Sequence, residues 1–164
     1  MKAIREIDRD SWEPTDTATL VFVVKKGSVL LIRKKRGLGA GKINGPGGRL
    51  EPGEAPIDGA IREAQEELLI TPLGLRYSGE NMFQFVDGYS IHVHVFKASD
   101  YEGEPTETDE AVPLWAPLDA IPYHEMWEDD ELWLPLVLQN VPFSGRYIFD
   151  GDAMLDHHLD GDLH

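Results

Sequence analysis

The spacing of apolar residues changes once along this 164-residue chain, and that change most restricts the folds it can adopt. Two runs rich in β-branched residues, at 19–24 and 29–33, predict a β-hairpin near the start. Further along, the apolar residues recur at the spacing of one helix face: Ile57, Ile61, Ala64 and Leu68. Pro56 suits the first turn of this helix, and Pro72 prevents it from continuing beyond about residue 70. Because strands precede this helix and strand-like runs follow it, the pattern predicts an α+β domain.

The second half of the chain predicts further strands and one more helix. The strand-like runs lie at 75–78, 82–86, 90–97, 112–115 and 143–149. A second helix is predicted to begin near Asp129 and Asp130, whose carboxylates suit a helix N-terminus, and to run towards Gln139. Pro135 should then lie within its first turns or interrupt it.

The limits of the domain follow from the same pattern. Residues 1–17 are mixed and charged without periodicity, and they are predicted to form a loosely held N-terminal arm. Residues 18–156 carry the predicted strands and helices and should form a single domain. Residues 157–164 are rich in Asp and His and are predicted to be a frayed tail.

Charge and composition exclude several classes of protein. Acidic residues outnumber basic ones by 30 to 15, and the net charge of -15 argues against binding nucleic acid polymers or anionic membranes. The absence of cysteine excludes disulfides, thiolate metal sites and cysteine nucleophiles. The opening residues lack the apolar segment of a signal peptide, and no apolar run is long enough to span a membrane. We therefore expect a soluble, cytoplasmic protein. For the oligomeric state we expect a monomer, with a dimer as the open alternative.

Three glutamates share one face of the first predicted helix. Glu63, Glu66 and Glu67 stand at positions i, i+3 and i+4, within an arc of roughly 100°. Their mutual repulsion would be relieved by a hard divalent cation such as Mg²⁺, which prefers oxygen ligands and phosphates. A solvated acidic face explains the same pattern, and the helix alone leaves both interpretations open.

The residues around this helix match the spacing of a known family motif, G-x5-E-x7-R-E-x-x-E-E. The motif consists of Gly48, Glu54, Arg62, Glu63, Glu66 and Glu67. It resembles the Nudix box of hydrolases that cut nucleoside diphosphates linked to another group. The resemblance implies a Nudix-type α/β/α sandwich with a mixed central β-sheet. Ala64 and Ile70 also fit the family pattern, whereas Leu69 replaces the usual glycine that ends the helix in a left-handed conformation, so the helix end is expected to differ slightly.

The resemblance also implies a metal site and its ligands. Glu63 and Glu67 would be the chief ligands of Mg²⁺, or alternatively Mn²⁺, with Glu66 close by and Gly47 offering its carbonyl oxygen. A carboxylate from outside the box often joins the site in this family, and Glu110 is the best candidate, with an ordinary acidic loop residue as the alternative. Water would attack a phosphorus of the substrate while a carboxylate takes the proton. Glu67 is the first candidate for this base and Glu110 the second, with Glu63 beside them.

The remaining residues of the box would have structural roles. Gly47 and Gly48 would let the backbone turn sharply. Glu54 and Arg62 would form a charge-assisted pair that holds the loop against the helix, and Arg62 would in turn orient Glu66.

A wider resemblance, from about residue 19 to 156, points to one branch of the family. The chain is similar to the eukaryotic-type oxidised purine nucleoside triphosphatases, which hydrolyse 8-oxo-dGTP to the monophosphate and pyrophosphate and so cleanse the nucleotide pool. Thr19 and Lys34 correspond to pocket and phosphate-side positions of these enzymes. The matching segments are 34–37, 39–41, 44–45, 94–96, 126–127, 129–130 and 135–139.

Four residues would recognise the substrate base if this resemblance holds. The Asn44 amide would bond the edge of the base, and Trp127 would stack on the purine ring. Asp129 and Asp130 would read the base through their carboxyl oxygens. Two adjacent carboxylates in a closed pocket do not both ionise cheaply, so one would stay protonated and donate a hydrogen bond. Without the family, the two acids would be interpreted as helix caps and Trp127 as a core residue, as Trp115 and Trp133 are expected to be.

Four departures from the resembled enzymes bear on specificity. Leu38 and Pro46 stand where aromatic residues are usual, Glu128 replaces a proline, and His92 replaces an acid. An aliphatic Leu38 reduces the stacking area. His92 and His94 should share one strand face, either packed or lining the pocket.

Three other functions compete with this one. A different Nudix activity on ADP-ribose, a dinucleoside polyphosphate or a methylated purine triphosphate is the nearest. The isopentenyl-diphosphate isomerase branch relies on a cysteine, which this chain lacks. A non-catalytic nucleotide-binding module would be marked by loss of box glutamates, and here all of them are intact.

Overall fold

The elements follow one another largely as the apolar pattern predicts. The computed structural model describes residues 2–161, and these residues contain two α-helices, α1 (Pro56–Leu68) and α2 (Asp130–Leu138). Short 3₁₀ turns lie at Ile4–Glu6 and Tyr123–Glu125. The strands of this part of the chain are β1 (Asp16–Lys25), β2 (Ser28–Lys34), β3 (Ile43–Asn44), β4 (Gly47–Arg49), β5 (Thr71–Leu73), β6 (Arg76–Phe85), β7 (Ser90–Ala98), β8 (Asp100–Glu102), β9 (Ala111–Pro117), β10 (Phe143–Asp150) and β11 (Ala153–Gly161).

Nine of these strands form one mixed sheet. Its order is β11-β10-β6-β7-β1-β2-β3, with β4 paired to β1 and β9 paired to β2. The pairs β1–β7 and β6–β10 are parallel, and the other pairs of the sheet are antiparallel. Strands β5 and β8 form a separate antiparallel pair. The two segments predicted at 75–78 and 82–86 are one continuous strand, β6.

The central strands are apolar on both faces because a helix covers each face. Phe22 of β1 packs edge-on against Trp133 of α2, with ring centroids 5.7 Å apart. Its neighbour Val21 belongs to a second core that includes Ala64 and Leu68 of α1. The predicted α+β fold with a mixed sheet between two helices is thus confirmed.

Helix α1 ends close to the residue that the sequence predicts, but the conformation of the residue after it is not the one expected. Leu69 has φ 60° and ψ 33°, the left-handed conformation, and its N–H bonds the Gln65 carbonyl at 3.0 Å. The expectation of a different helix end is therefore wrong: the leucine adopts the conformation that usually requires glycine. The predicted apolar face is also corrected at Ile57, which is 41% exposed in the first turn, while Ala64 and Leu68 are buried.

Helix α2 continues through Pro135 without interruption. The proline lies inside the helix, beyond its first turn, and the Gln139 N–H bonds the Pro135 carbonyl at 3.1 Å. A proline here removes one N–H from the helical pattern but leaves the later turn intact. Trp133 is buried as expected, whereas Trp115 is 39% exposed, so its prediction as a core residue is wrong.

Both ends of the described chain are held more firmly than predicted. Residues 157–161 are not frayed, because they form the end of β11, where Gly161 pairs with Phe143. The arm is pinned to the sheet by hydrogen bonds from Ile4 N–H to Asp156 Oδ2 (2.8 Å) and from Trp12 Nε1 to Gln84 Oε1 (3.0 Å). Met1 and the remainder of the predicted tail, 162–164, lie outside the described residues.

The hydropathy and length of the helices bear on membrane insertion. Neither helix within residues 2–161 has the length and apolar character needed to cross a bilayer.

Candidate active site

Close packing between β4 and α1 places the glycines of the motif against its glutamates. The Gly47 N–H donates a 2.7 Å hydrogen bond to Glu67 Oε1. A Cβ at Gly48 would lie 2.5 Å from Glu63 Cδ, and a Cβ at Gly47 would overlap the Thr19 carbonyl oxygen. Neither glycine has a positive φ, so the predicted sharp turn at this pair is wrong. The glycines are needed because strand β1 and helix α1 approach β4 so closely.

Arg62 joins the loop before α1 to the carboxylates on the helix. Its Nε and Nη2 donate to the two oxygens of Glu54 at 2.8 and 2.9 Å, and Nη2 also bonds the Arg49 carbonyl at 3.1 Å. Its Nη1 donates to Glu63 at 2.9 Å and to Glu66 at 3.2 Å. The predicted Glu54–Arg62 pair is present, and the same guanidinium contacts Glu66. The hydrogen bonds from Arg62 hold the pKa of the Glu54 carboxyl down, at about 2.

Three of the candidate metal ligands are held by arginines in this structure. Glu63 and Glu66 contact Arg62, and Glu110 Oε1 lies 3.3 Å from Arg36 Nη2. Within residues 2–161, no three Asp, Glu or His side chains converge on one point as ligands of a metal ion. Burial raises the pKa of Glu63, the Arg62 contacts lower it, and the nearby carboxylates Glu66 and Glu110 raise it further. A set of carboxylate oxygens of this kind fits a hard divalent cation. Together with the arginines, such a cation would neutralise the negative charge of these glutamates.

Glu67 is the deepest of these carboxylates. It is 3% exposed, and burial raises its pKa to about 8 against the lowering effect of the Gly47 N–H. The charges of Glu63 and Glu110 raise the pKa of Glu67 further, and Lys34 lowers it. A buried carboxyl among acids is costly to ionise unless a cation lies beside it, so its surroundings also fit a divalent cation.

A cavity of about 370 Å³ lies next to the motif, on the side of the sheet that faces α2. It is lined by all six residues predicted to bind substrate, namely Thr19, Lys34, Asn44, Trp127, Asp129 and Asp130. Gly47 and Gly48 also line it, whereas Glu63 and Glu67 do not. Because Gly47 bonds Glu67 through its N–H, this glycine connects the cavity to the glutamates.

Two adjacent carboxyl groups lie buried at the wall of this cavity. Asp129 and Asp130 are 1% and 2% exposed, and Asp129 Oδ2 accepts a 2.6 Å hydrogen bond from Trp133 Nε1. Asp129 Oδ1 and Asp130 Oδ2 have no hydrogen-bond partner within the described chain. Asp129 occupies the N-cap of α2 but makes no capping bond through its side chain, so the alternative of a simple helix cap is wrong. Burial raises the pKa of Asp129 to about 6, and burial together with the Asp129 charge raises that of Asp130 well above its usual range.

The indole of Trp127 is held in place by aromatic rings and by the glycine-rich loop. It packs edge-on against Phe85 and Phe149, with ring centroids 6.2 and 5.6 Å apart. Lys42 Nζ lies 5.1 Å from the ring centroid. A Cβ at Gly39 would lie 2.9 Å from Trp127 Nε1, so only a glycine lets the loop pass this close. The indole is therefore rigidly positioned while it lines the cavity.

The other three predicted residues offer polar groups to the cavity. Thr19 is fully buried, and its hydroxyl has no partner among residues 2–161. Asn44 Oδ1 accepts the Gly45 N–H at 2.8 Å, so the group that Asn44 can offer a ligand is its Nδ2 amide. Lys34 Nζ donates to the Leu38 carbonyl at 2.9 Å.

The four sequence departures fall in different places. Pro46 is buried, and its carbonyl accepts the Val21 N–H at 2.9 Å. Leu38 lines the cavity and is 51% exposed. Glu128 Oε1 accepts the Met154 N–H at 2.9 Å and thereby ties the segment before α2 to β11. His92 lies on the opposite face of β7 from the cavity, with its ring centroid 4.4 Å from that of His94, so the two histidines are packed and do not line the pocket.

Sequence reasoning missed several walls of the cavity. These are the aromatic residues Phe83, Phe85, Tyr89 and Phe149, together with Arg49. The spacing of Phe83 and Phe85, two residues apart on a predicted strand, places both on one sheet face and would have identified them as a pair.

The chain belongs to the Nudix family. Its sequence matches the family model described as NUDIX domain over residues 14–137. This match includes the glutamate-rich helix and most of the cavity residues described above.

Two curated relatives cover almost the same length. The chain is 47% identical over 144 residues to an oxidized purine nucleoside triphosphate hydrolase of Danio rerio, with 87% of this chain and 92% of the relative covered. It is 43% identical over 143 residues to the Mus musculus protein of the same name, covering 86% of this chain and 92% of the relative. Among solved structures, a MutT protein from Bacillus halodurans superimposes with a TM-score of 0.78 at 26% identity, covering 88% of this chain and 97% of that one.

Proposed function

We propose that this Nudix hydrolase converts oxidised purine nucleoside triphosphates, such as 8-oxo-dGTP, to the monophosphate and pyrophosphate, and so cleanses the nucleotide pool. The observation that carries this proposal is the pair of buried carboxyls, Asp129 and Asp130, in a cavity that adjoins the box glutamates. The names of the two relatives of similar length agree with it.

The pair of carboxyls suits the mixed donors and acceptors on the edge of a purine base. With one proton shared between them, Asp129 and Asp130 offer one O–H donor alongside several acceptor oxygens. The Asn44 amide would add a donor, and the indole of Trp127 would stack on the ring. Because the proton can reside on either acid, the same pocket would accept more than one oxidised purine.

The glutamates would act at the phosphate end of the substrate. Glu63, Glu66, Glu67, Glu110 and the Gly47 carbonyl would hold the divalent cation, for which we propose Mg²⁺, with Mn²⁺ as a substitute. When bound, this ion would neutralise the phosphate oxygens and lower the pKa of the attacking water. Glu67 would take the proton from that water, and Glu110 is the second candidate for this role. Lys34, at the cavity wall, would attract the triphosphate.

One chain would suffice for this activity. The candidate base-binding and metal-binding residues of one chain need no second copy to complete the site, and we propose a monomer that acts in the cytoplasm.

The proposal is tested by comparing hydrolysis of 8-oxo-dGTP and dGTP, with Mg²⁺ and with EDTA, and by identifying the products. We expect Mg²⁺-dependent release of monophosphate and pyrophosphate, with kcat/KM at least tenfold higher for the oxidised base. Equal hydrolysis of both nucleotides would contradict the proposed base specificity. Absence of turnover with either Mg²⁺ or Mn²⁺ would contradict hydrolysis of this substrate class.

A further inference from the structure

Tyr89 lines the cavity, although no motif in the sequence points to it. It lies in the short connection between β6 and β7, whose backbone is tightly bonded. The Phe85 N–H donates to the Tyr89 carbonyl at 2.8 Å, and the Gly88 N–H to the Phe85 carbonyl at 3.0 Å. The Tyr89 N–H bonds Asp87 Oδ1 at 2.9 Å. The position of the Tyr89 backbone is therefore fixed.

The hydroxyl of Tyr89 is fixed as well. It donates a 2.8 Å hydrogen bond to Asp16 Oδ2, at the first residue of β1. Asp16 Oδ2 also lies 3.6 Å from Nη1 of Arg49, a cavity residue on β4. Asp16 thus joins the cavity walls formed by β4 and by the β6–β7 connection. With its backbone and its hydroxyl both held, the Tyr89 ring has little freedom to turn away from the cavity.

The ring of Tyr89 extends an aromatic wall that already includes Trp127. Its centroid lies 5.9 Å from that of Phe85, and the Phe85 ring lies 6.2 Å from that of Trp127. All three rings line the cavity. Leu38, another lining residue, offers only an aliphatic side chain. Tyr89 therefore supplies apolar, polarisable surface to a pocket that lacks a ring at Leu38.

We propose that Tyr89 is a further substrate-binding residue, which packs against the purine nucleoside and is positioned by Asp16. This inference rests on the proposed function. The one hydrogen-bonding group of the Tyr89 side chain is held by Asp16, so the ring offers the base a packing surface and its contribution is to the affinity for purine nucleotides in general. It is not expected to distinguish 8-oxo-dGTP from dGTP.

The test uses three single variants, the double variant that combines Tyr89→Phe with Asp16→Ala, and a matched control. Tyr89→Ala removes the ring. Tyr89→Phe keeps the ring but removes the hydroxyl that bonds Asp16, and Asp16→Ala removes the carboxylate that accepts this bond. Tyr77 is the control, because its hydroxyl also makes a short bond, 2.7 Å to His94 Nδ1, and it does not line the cavity. For each protein we would measure kcat, KM, the Kd for 8-oxo-dGMP and dGMP, and the Tm.

The expected result is a change in binding without a change in the chemical step. Tyr89→Ala should raise KM and both Kd values roughly tenfold, the range that loss of one base–aromatic contact produces. Tyr89→Phe and Asp16→Ala should each raise them about threefold, and the double variant should bind no more weakly than Asp16→Ala alone, because Asp16→Ala has already removed the bond that Tyr89→Phe removes. In all of these variants kcat should stay within about threefold and the preference for the oxidised base within about twofold. Tyr77→Phe should alter none of these quantities.

Other results would overturn the proposal in distinguishable ways. If Tyr89→Ala lowers Tm but leaves the Kd values unchanged, the residue only stabilises the connection between the strands. If the wild type binds dGMP and 8-oxo-dGMP but does not hydrolyse the triphosphates, the proposed function is wrong. The Kd values of Tyr89→Ala would then still test whether Tyr89 binds the nucleotide. If the wild type binds no purine nucleotide, both proposals are wrong.

Discussion

The guanidinium of Arg62 and the carboxylate of Glu54 form two parallel hydrogen bonds, Nε to Oε2 at 2.8 Å and Nη2 to Oε1 at 2.9 Å. This bidentate pair joins helix α1 to the loop before it. The remaining nitrogen of the guanidinium, Nη1, faces Glu63 and Glu66, so one side chain fixes the loop and orients two candidate metal ligands.

Replacing Arg62 by lysine should therefore impair turnover more than nucleotide binding. A lysine ammonium carries the charge but does not reproduce the planar fork, so Glu63 and Glu66 would lose their orientation. We expect Arg62→Lys to lower kcat at least tenfold, while the Kd for 8-oxo-dGMP stays within about twofold because Arg62 does not line the cavity. Arg76→Lys, on β6, is the control, and an unchanged kcat in Arg62→Lys would contradict this role.

The same pair should stabilise the protein in a defined range of pH. The Glu54 carboxyl has a pKa of about 2 in the folded protein, below its ordinary value of 4.5, so its contribution is complete above pH 4.5 and is lost as the pH falls towards 2. Glu54→Gln should be less stable than the wild type at pH 7, and the two should converge between pH 4.5 and 2. Urea unfolding at a series of pH values measures this, and a constant difference across the range would show that ionisation of Glu54 is irrelevant.

Leu69 stores conformational strain at the end of α1. Its φ of 60° is unfavourable for a residue with a Cβ, and its side chain is 58% exposed, so little packing is lost on removing it. Leu69→Gly should raise the free energy of unfolding by about 1 kcal/mol, the left-handed penalty being partly offset by the greater freedom of glycine in the unfolded chain. Thermal or urea denaturation measures this, and Leu69→Ala serves as control because it shortens the side chain without relieving the strain. A destabilised Leu69→Gly would contradict the argument.

The motif predicted the helix and its glutamates well because local spacing determines both. The period of 3.6 residues fixes which side chains share a face, so the helix end near Leu68 and the proximity of Glu63 and Glu67 follow from sequence. The pairing of Glu54 with Arg62 also depends on residues only eight apart. Such contacts need no knowledge of how distant strands are arranged.

The sequence-based predictions are wrong where contacts between segments far apart in the sequence determine the local structure. The tail was predicted to fray because its Asp and His residues suggest solvent, yet pairing with β10 makes it a strand. The sequence predicts a sharp turn at Gly47 and Gly48, whereas the structure needs glycine there because β1 and α1 lie too close for a Cβ. Tyr89 was missed because its bond to Asp16 spans 73 residues of sequence. None of these contacts produces a periodic pattern in the amino-acid sequence.

The buried carboxyl of Asp129 should make stability depend on pH in the opposite sense to Glu54. Burial raises its pKa from 3.8 to about 6, so the folded state is favoured at low pH and loses stability as the pH rises through 6. Asp129→Asn does not titrate and keeps an acceptor for Trp133 Nε1. Its stability relative to the wild type should therefore increase as the pH rises from 4 to 8. Urea unfolding across this range measures the change, with the exposed Asp119→Asn as control, and a flat difference would contradict the raised pKa.

The same substitution should also change the choice of base. Asp129→Asn removes a group able to share a proton with Asp130, so the hydrogen-bonding pattern offered to the purine is altered. We expect a change of at least tenfold in the ratio of kcat/KM for 8-oxo-dGTP to that for dGTP, with the same dependence on Mg²⁺ concentration as the wild type. An unchanged ratio would place base recognition elsewhere in the cavity.

Glu67 allows the sharpest test of the candidate metal site, because its substitution need not disturb the fold. Gln at this position keeps an oxygen that accepts the Gly47 N–H, and it removes a carboxyl that burial makes costly to ionise. Glu67→Gln should therefore be at least as stable as the wild type in EDTA at pH 8, yet its Mg²⁺-dependent kcat should fall at least a thousandfold. Asp58→Asn, an exposed carboxylate on the same helix, should retain full activity. A Glu67→Gln protein with near wild-type kcat would contradict the assignment of Glu67 as metal ligand and base, and would leave Glu110 as the candidate base, which the Glu110→Gln variant would test.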